Sequence, residues 1–455
     1  MNSIATINPA TGEPIARYDC ADDAQIGATL ERMRRAQREW AARPVGERLE
    51  PLTRLANLFL ARRDELARLM TREMGKPITQ ARAEVEKCAG AFRYYAEQAP
   101  VLLADKPVQT NAAWSGVVYQ PLGIVFAIMP WNFPFWQAAR FAAPALAAGN
   151  AGLLKPAPST TGCGLALVRL AQEAGIPPGV LTTLVLDNDY AARVIADSRI
   201  AAITLTGSER AGRAVARVAG ENLKKCVLEL GGSDPFVVLA DADLERAVQV
   251  AVSARFQNTG QSCIAAKRFI IEAPVYEEFV ARFVAASKAL ELGDPAAEAT
   301  DLGPLARDDL RLTLARQVQS SLDAGARLVT GGGIPARPGY YYEPTVLDGV
   351  RSGMAVATEE VFGPVAAIFR ATDRAAALAL ANSTSYGLGG SVWTADREAG
   401  ERFARGLASG LAFVNEMVQS DPRLPFGGIK HSGFGRELAT EGLREFLNLK
   451  TLWIS

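Results

Sequence analysis

The sequence predicts an α/β protein built on parallel sheets, and three observations carry that prediction. Through the first hundred positions apolar and charged residues alternate at helical spacing, as in Leu52, Leu55, Leu58 and Phe59 followed by Leu66, Leu69 and Met70. From Gly123 onward, short apolar runs (GIVFAIM, AGLL, VLTTLVL, AAITLT, CVLEL) are separated by helix-length segments, the pattern of right-handed βαβ units. A second series follows Gly231 and Gly232: PFVVL, a helix from about Asp243, KRFII, a helix from about Val275, then GLGGSVW and GLAFVN. Two stretches fit neither series, Val101 to Val118 and the tail after Gly435. Both hold strand-like pieces, GVVY and TLWIS, which could pair with each other or with a neighbouring subunit.

Composition removes several function classes. The 455 residues carry 49 Lys+Arg against 49 Asp+Glu, so no surface for nucleic acid or another polyanion is announced. Apolar residues make up 49% and charged ones 22%, the balance of a globular chain long enough for two or three domains. A lone histidine, His431, excludes a multi-histidine metal site and leaves only one possible imidazole base. The five cysteines, Cys20, Cys88, Cys163, Cys226 and Cys263, form no CxxC pair, so a reducing cytoplasm is expected. No signal peptide is read at the N-terminus. The most apolar region, Leu122 to Leu154, is interrupted by Pro130, Asn132, Pro134, Arg140, Pro144 and Asn150, so no membrane span is expected either.

Two features suit a dinucleotide. After AAITLT comes Gly207-Ser208-Glu209-Arg210-Ala211-Gly212 and a helical pattern with Ala211, Ala214, Val215 and Val218 on one face. Strand, glycine turn and helix N-terminus make an anion site for a pyrophosphate, although the spacing is not GxGxxG and no GK[ST] follows. Lys155 ends the run AGLL, at the carboxyl end of a parallel strand where α/β folds bind ligands. The plain alternatives are a structural glycine turn and a solvated lysine.

Three residues suit chemistry. Cys263 lies in the polar loop of FQNTGQSCIAAKRF, where a thiol is more reactive than a buried apolar cysteine. Glu229 ends CVLEL beside Gly231 and Gly232, a strand-end carboxylate that could serve as a tuned base. Asn132, between the prolines of PWNFP, is a fixed neutral amide suited to an oxyanion. Each has a turn or cap residue as its alternative. Together, beside a nucleotide-binding unit, they form the parts for oxidising an aldehyde through a thioester without histidine.

The segments NPATGE (Asn8 to Glu13), EMGKP, PWNFP, LTGS, LELGG, NTGQSC, EEVFGP and PFGGIKHSGFGRE run in one order along nearly the whole chain, and in this the sequence resembles the aldehyde dehydrogenase superfamily. The resemblance implies two Rossmann-like α/β domains plus a small β oligomerisation arm. Residues 1–101 and 119–231 would bind NAD(P), 232–435 would be catalytic, and 102–118 with 436–455 would bridge subunits of a homodimer or homotetramer. It also implies roles. Cys263 attacks the aldehyde, Asn132 and the Cys263 N–H hold the oxyanion, and Glu229 activates the hydrolytic water rather than leaving the thioester to coenzyme A.

For the cofactor the resemblance implies Trp131 and Lys155 near the adenosine ribose, Gly207 and Ser208 by the pyrophosphate, and Glu360 and Phe362 at the nicotinamide ribose. Pro158 stands where NAD-preferring relatives often carry glutamate, which leans the choice slightly to NADP⁺, with no arginine in that glutamate's place. KKCVLELGGSDPF and NTGQSCIAAKRFI look most like succinate-semialdehyde dehydrogenases, and Arg140 matches an arginine that faces the substrate carboxylate there. An arginine in an apolar segment needs a partner, which a distal carboxylate would supply. A second arginine of some such enzymes is replaced by Gln257, and Ser420 or Arg423 is expected to take over its contact. Trp136 and Phe426 are expected to line the aldehyde channel. The alternative is broad oxidation of other small aldehydes, such as glutarate semialdehyde or aromatic and aliphatic ones, with Arg140 structural. Cys226, three residues before Glu229, could pair oxidatively with Cys263 and switch the enzyme off.

Overall fold

The computed structural model describes residues 3–455. It opens with an antiparallel hairpin, Ser3–Ile7 with Pro14–Asp19, where the spacing over the first hundred positions predicts helix. Strands of five and six residues are too short to impose a period on that reading. Four helices follow: Asp23–Ala42, Val45–Ala61, Arg63–Met74 and Ile78–Leu102. Asp22 and Gln25 close a reciprocal capping box on the first. Gly75 ends the third at φ 77°, where a Cβ would come 2.6 Å from the Pro304 ring, so only glycine suits the turn.

The first large sheet has six strands in the order Gly433–Phe434, Lys225–Glu229, Ile200–Thr206, Ile124–Ile128, Ala151–Lys155 and Leu181–Thr183. All its neighbours are parallel except the first pair. The period of two divides each strand between two cores. Ile203, Leu205 and Leu228 join Ile26, Leu30 and Val194 on one side, while Ala202 and Val227 join Trp136, Phe92 and Phe59 on the other. Cys226 packs with the first core and Cys263, from its loop, with the second, so the two thiols lie on opposite faces of the sheet and the proposed disulfide is left without support.

The second sheet has seven strands: Arg327–Thr330, Thr345–Asp348, Val365–Ala371, Ala266–Glu272, Asp234–Val238, Ser391–Trp393 and Phe413–Val414. Only the outermost Arg327–Thr330 runs antiparallel to its neighbour. Its helices include Leu244–Phe256, which starts on an Asp243 cap and ends just before the Cys263 loop. The two leftover segments pair with each other, Leu447–Ile454 running antiparallel to Trp114–Pro121 from Leu447↔Pro121 to Ile454↔Trp114. Leu449, Trp453 and Ile454 stay exposed on that arm. Among the described residues no helix is long and apolar enough to cross a membrane.

Two buried carboxylates weld the helices to the first sheet's loops. Glu84 accepts from the N–H groups of Phe135 (3.0 Å) and Trp136 (2.9 Å), the start of the helix Trp136–Ala147, and pairs with buried Lys76. Glu73 does the same for the N–H groups of Gly162 and Cys163 at the helix Thr161–Glu173. These N–H groups lack intrahelical acceptors, and a carboxylate there also meets the positive end of the helix dipole. Glu84→Ala is expected to lower stability by about 3–5 kcal/mol, the cost of stranding a buried cation. A fall in the urea midpoint with unchanged slope is the readout.

Candidate active site

A cavity of about 480 Å³ opens between the helices Ile78–Leu102, Trp136–Ala147 and Leu244–Phe256, a size suited to a small ligand. Cys263, Arg140, Trp136, Phe426, Ser420 and Lys87 all stand in its wall. Gln257 lies there too, while Arg423 pairs with Asp421 at the surface and is not part of the lining. His431 sits outside as well, beside Glu209 and Arg213.

The loop carrying Cys263 is held under strain. Asn258 (φ 55°), Thr259 (φ 56°) and Gly260 (φ 71°) take left-handed backbone in succession, unusual for a β-branched threonine. Arg255, fully buried, fixes this turn by donating to the carbonyls of Gly260 (3.0 Å), Ala266 (3.0 Å) and Gly363. Burial brings its guanidinium down to about 9. Lys267 donates to the carbonyls of Ser262 (2.9 Å), Cys263 (2.8 Å) and Ala265 (3.1 Å), wrapping the loop around one ammonium. The thiol is partly accessible, and burial pushes it up to about 12, with Arg140 and Lys267 pulling down and Glu360 and Asp234 pushing up.

Asn132 is pinned from both ends of its amide. Gln137 donates to its Oδ1 (3.2 Å), and its own Nδ2 donates to the Gln261 carbonyl (3.1 Å), two residues before Cys263. Asn258 donates to the Asn132 carbonyl (2.8 Å), so the PWNFP loop and the thiol loop are tied directly together.

Glu229 ends its strand on the face of Val227, toward the helix Trp136–Ala147. The edge strand Gly433–Phe434, paired Gly433↔Glu229, returns the chain to this point and brings in Glu437. Both oxygens of Glu229 are buried without a hydrogen-bond partner among the described residues. Burial, then the neighbouring Glu437 carboxylate, hold Glu229 well above the ordinary carboxylate range, against the pull of Arg140 and Arg436. Arg140 is itself buried, ion-paired with Glu437, donating to Thr206 Oγ1 (3.4 Å) and lying 4.4 Å over the Phe426 ring. The internal partner expected of a ligand carboxylate is thus supplied in part by Glu437.

The predicted cofactor residues line a second region. Lys155, nearly buried, shares a cavity of about 310 Å³ with Ile128, Arg210 and Ala211, beside the helix Glu209–Glu221 that Ser208 caps. Gly207 N–H donates to the Glu229 carbonyl (2.9 Å), so the glycine turn and the carboxylate stand at the ends of neighbouring parallel strands. Pro158 opens a short 3-10 turn, Pro158–Thr160, whose Ser159 and Thr160 hydroxyls are buried without partners among the described residues. Glu360 accepts from Gly232 N–H (3.0 Å), and a Cβ on Gly231 would collide with its carboxylate. Trp131 meets Phe362 edge-on at 5.6 Å, joining the two regions.

Lys87, Lys267, Arg255 and Glu437 escaped the sequence reading. Lys87 stands on an amphipathic helix where a charged residue reads as solvated, and Glu437 lies in a stretch read only as part of PFGGIKHSGFGRE. The spacing Glu84 to Lys87, one helical turn, is the only local signal that both face inward.

Comparison with known proteins places the whole chain in one family. A family model described as the aldehyde dehydrogenase family matches residues 1–452. A probable succinate-semialdehyde dehydrogenase (NADP⁺) of Synechocystis sp. is 49% identical over 453 residues, covering 100% of both chains. Succinate-semialdehyde dehydrogenase (NADP⁺) 1 of Mycobacterium tuberculosis is 48% identical, covering 99% of this chain and 100% of its own. The crystal structure of succinic semialdehyde dehydrogenase from Streptococcus pyogenes in complex with NADP⁺ superposes with a TM-score of 0.97 at 36% identity, covering 99% of each chain.

A thiol near 12 is almost wholly protonated at neutral pH in the enzyme alone. Site-resolved alkylation of Cys263 by iodoacetamide is therefore expected to quicken about tenfold per pH unit up to at least pH 10. A plateau below pH 9 would show that the loop lowers the thiol instead.

Proposed function

The chain belongs to the aldehyde dehydrogenase family, and on that premise we propose that it oxidises succinate semialdehyde to succinate with NADP⁺ as preferred acceptor. The observation that carries this reading is one cavity holding both a partly accessible thiol, Cys263, and a buried guanidinium, Arg140. An aldehyde with a carboxylate at its far end has the two functions these groups address.

Cys263 gives up its proton to solvent water and adds through sulfur to the aldehyde carbon, the carbonyl π pair passing to the oxygen. The Asn132 amide, with one N–H on the Gln261 carbonyl, directs its other N–H at the oxyanion together with the Cys263 backbone N–H. A dinucleotide held by Lys155, Gly207, Ser208, Glu360 and Phe362 would supply the hydride acceptor that oxidation of the Cys263 adduct to a thioester requires. Glu229 then takes the proton of the water that hydrolyses the thioester, a task suited to a carboxylate raised above its usual range. The residues present fit NADP⁺. Lys155 and Arg210 line one cavity, the buried hydroxyls of Ser159 and Thr160 lack partners among the described residues, and Pro158 supplies no carboxylate against a 2′-phosphate. Trp131, Gly207, Ser208, Glu360 and Phe362 would hold the rest of the dinucleotide. The exposed strand Leu447–Ile454 supports assembly into a homodimer or homotetramer, and five free cysteines suit a reducing cytoplasm.

The Arg140–Glu437 pair favours a second reading, broad oxidation of small aldehydes with Arg140 as scaffold. Initial rates with succinate semialdehyde and butanal, each with NAD⁺ and NADP⁺, separate the two. A preference of about tenfold or more for the carboxylated substrate is expected, and equal kcat/KM would favour the second reading. Glu229→Gln is expected to keep a stoichiometric burst of reduced cofactor while turnover falls at least about 100-fold. Loss of the burst would move Glu229 to an earlier step. Pro158→Glu is expected to lower kcat/KM with NADP⁺ about tenfold or more and to spare NAD⁺.

A further inference from the structure

Arg140 and Glu437 form an ion pair, so together they bring no net charge to the cavity wall. Gln257 adds none, and the one acidic residue in the lining, Asp301, is exposed and accepts from Glu291 N–H through Oδ2 (2.9 Å). A ligand carboxylate entering this space therefore meets a desolvated wall whose remaining cation is Lys87. Its Nζ donates to Ser420 Oγ (2.8 Å) and lies 4.6 Å over the Trp136 ring. Ser420 and Trp136 are both cavity residues, so the ammonium is held at the lining rather than in solvent. Among the described residues no carboxylate lies within ion-pair distance of it.

Building on the substrate reading above, we propose that Lys87 is the cation that selects the far-end carboxylate of the substrate, with Ser420 orienting it and Arg140 supplying a second set of N–H donors. It fills the role left empty at Gln257, from the helix Ile78–Leu102 across the same cavity. The groups facing it are Arg140 from the helix Trp136–Ala147, Glu84 and Cys88 from its own helix, and Asp421 from the loop after Ser420. Burial first, then Arg140, bring the ammonium down to about 8, opposed by Cys88, Glu84 and Asp421. Below that pH the lysine is charged and reads the carboxylate. Above it the charge, and with it the selectivity, is lost, whereas a guanidinium at the same place stays charged.

The test compares wild type, Lys87→Met and Lys87→Arg with succinate semialdehyde and butanal, from pH 6.5 to 9.5, after thermal melts and NADP⁺ titration show that each variant is folded. The readout is the ratio of kcat/KM for the two aldehydes, which cancels pH effects on the thiol and on Glu229. In wild type the ratio is expected to fall as pH rises through about 8. Lys87→Met is expected to lower the ratio at pH 7 by about 10- to 100-fold, the range of a lost charge-assisted hydrogen bond. Lys87→Arg is expected to recover much of it and to flatten the decline above pH 8. A wild-type ratio near one overturns the substrate reading and this inference with it. A wild-type preference that Lys87→Met retains, or that Lys87→Arg leaves with the same pH profile, overturns the role of Lys87 alone.

Discussion

The molecule is organised around one buried carboxylate. Glu84 lies in an interior where an isolated anion would cost several kcal/mol, and it is stable there because Lys76 and two helix N–H groups surround it. That arrangement fixes the start of the helix Trp136–Ala147 against the helix Ile78–Leu102. The PWNFP loop leads into that start, so Asn132 is fixed with it, and Asn258 bonds the loop to the thiol segment. One turn beyond Glu84, the same helix turns Lys87 into the cavity. Anchoring and recognition therefore share an element, and neither can shift without the other.

Charge in the site is managed by pairing what must stay and stranding what must act. Arg255 and Lys267 spend their N–H groups on backbone carbonyls, which positions the thiol loop without placing a full counter-ion beside it. Arg140 is matched by Glu437. Glu229, by contrast, has no hydrogen-bond partner on either oxygen among the described residues, so burial raises its affinity for a proton above that of an ordinary carboxylate, as a base that takes a proton from water requires. Unsatisfied buried polar groups are rare, and the two Glu229 oxygens stand at a strand end next to the glycine turn of the dinucleotide region.

Much of this was legible in the residues. Two parallel-sheet series appear as alternating apolar runs because strands buried on both faces leave that trace, and GVVY with TLWIS pair as one of the two options their pattern allowed. Cys263, Arg140, Trp136, Ser420 and Phe426 come together in one cavity although they are separated by up to 290 residues, Trp136 to Phe426 (426 − 136). What stayed hidden depends on tertiary placement. The opening hairpin is too short to show a period. Lys87 and Glu437 look like surface charges until Arg140 and the edge strand Gly433–Phe434 are placed beside them. Arg255 and Lys267 bond only to backbone, and no side-chain pattern announces a carbonyl acceptor.

The central claim is that one cavity addresses both ends of an aldehyde carrying a distal carboxylate. A crystal structure of the Cys263→Ala variant with NADP⁺ and succinate semialdehyde tests it directly. The account predicts the aldehyde oxygen within hydrogen-bond distance of Asn132 Nδ2, and the carboxylate between Lys87 Nζ, Ser420 Oγ and the Arg140 guanidinium. A carboxylate left at the cavity mouth beside Asp301 and bulk water, with Arg140 bonded only to Glu437 and Thr206, would contradict it.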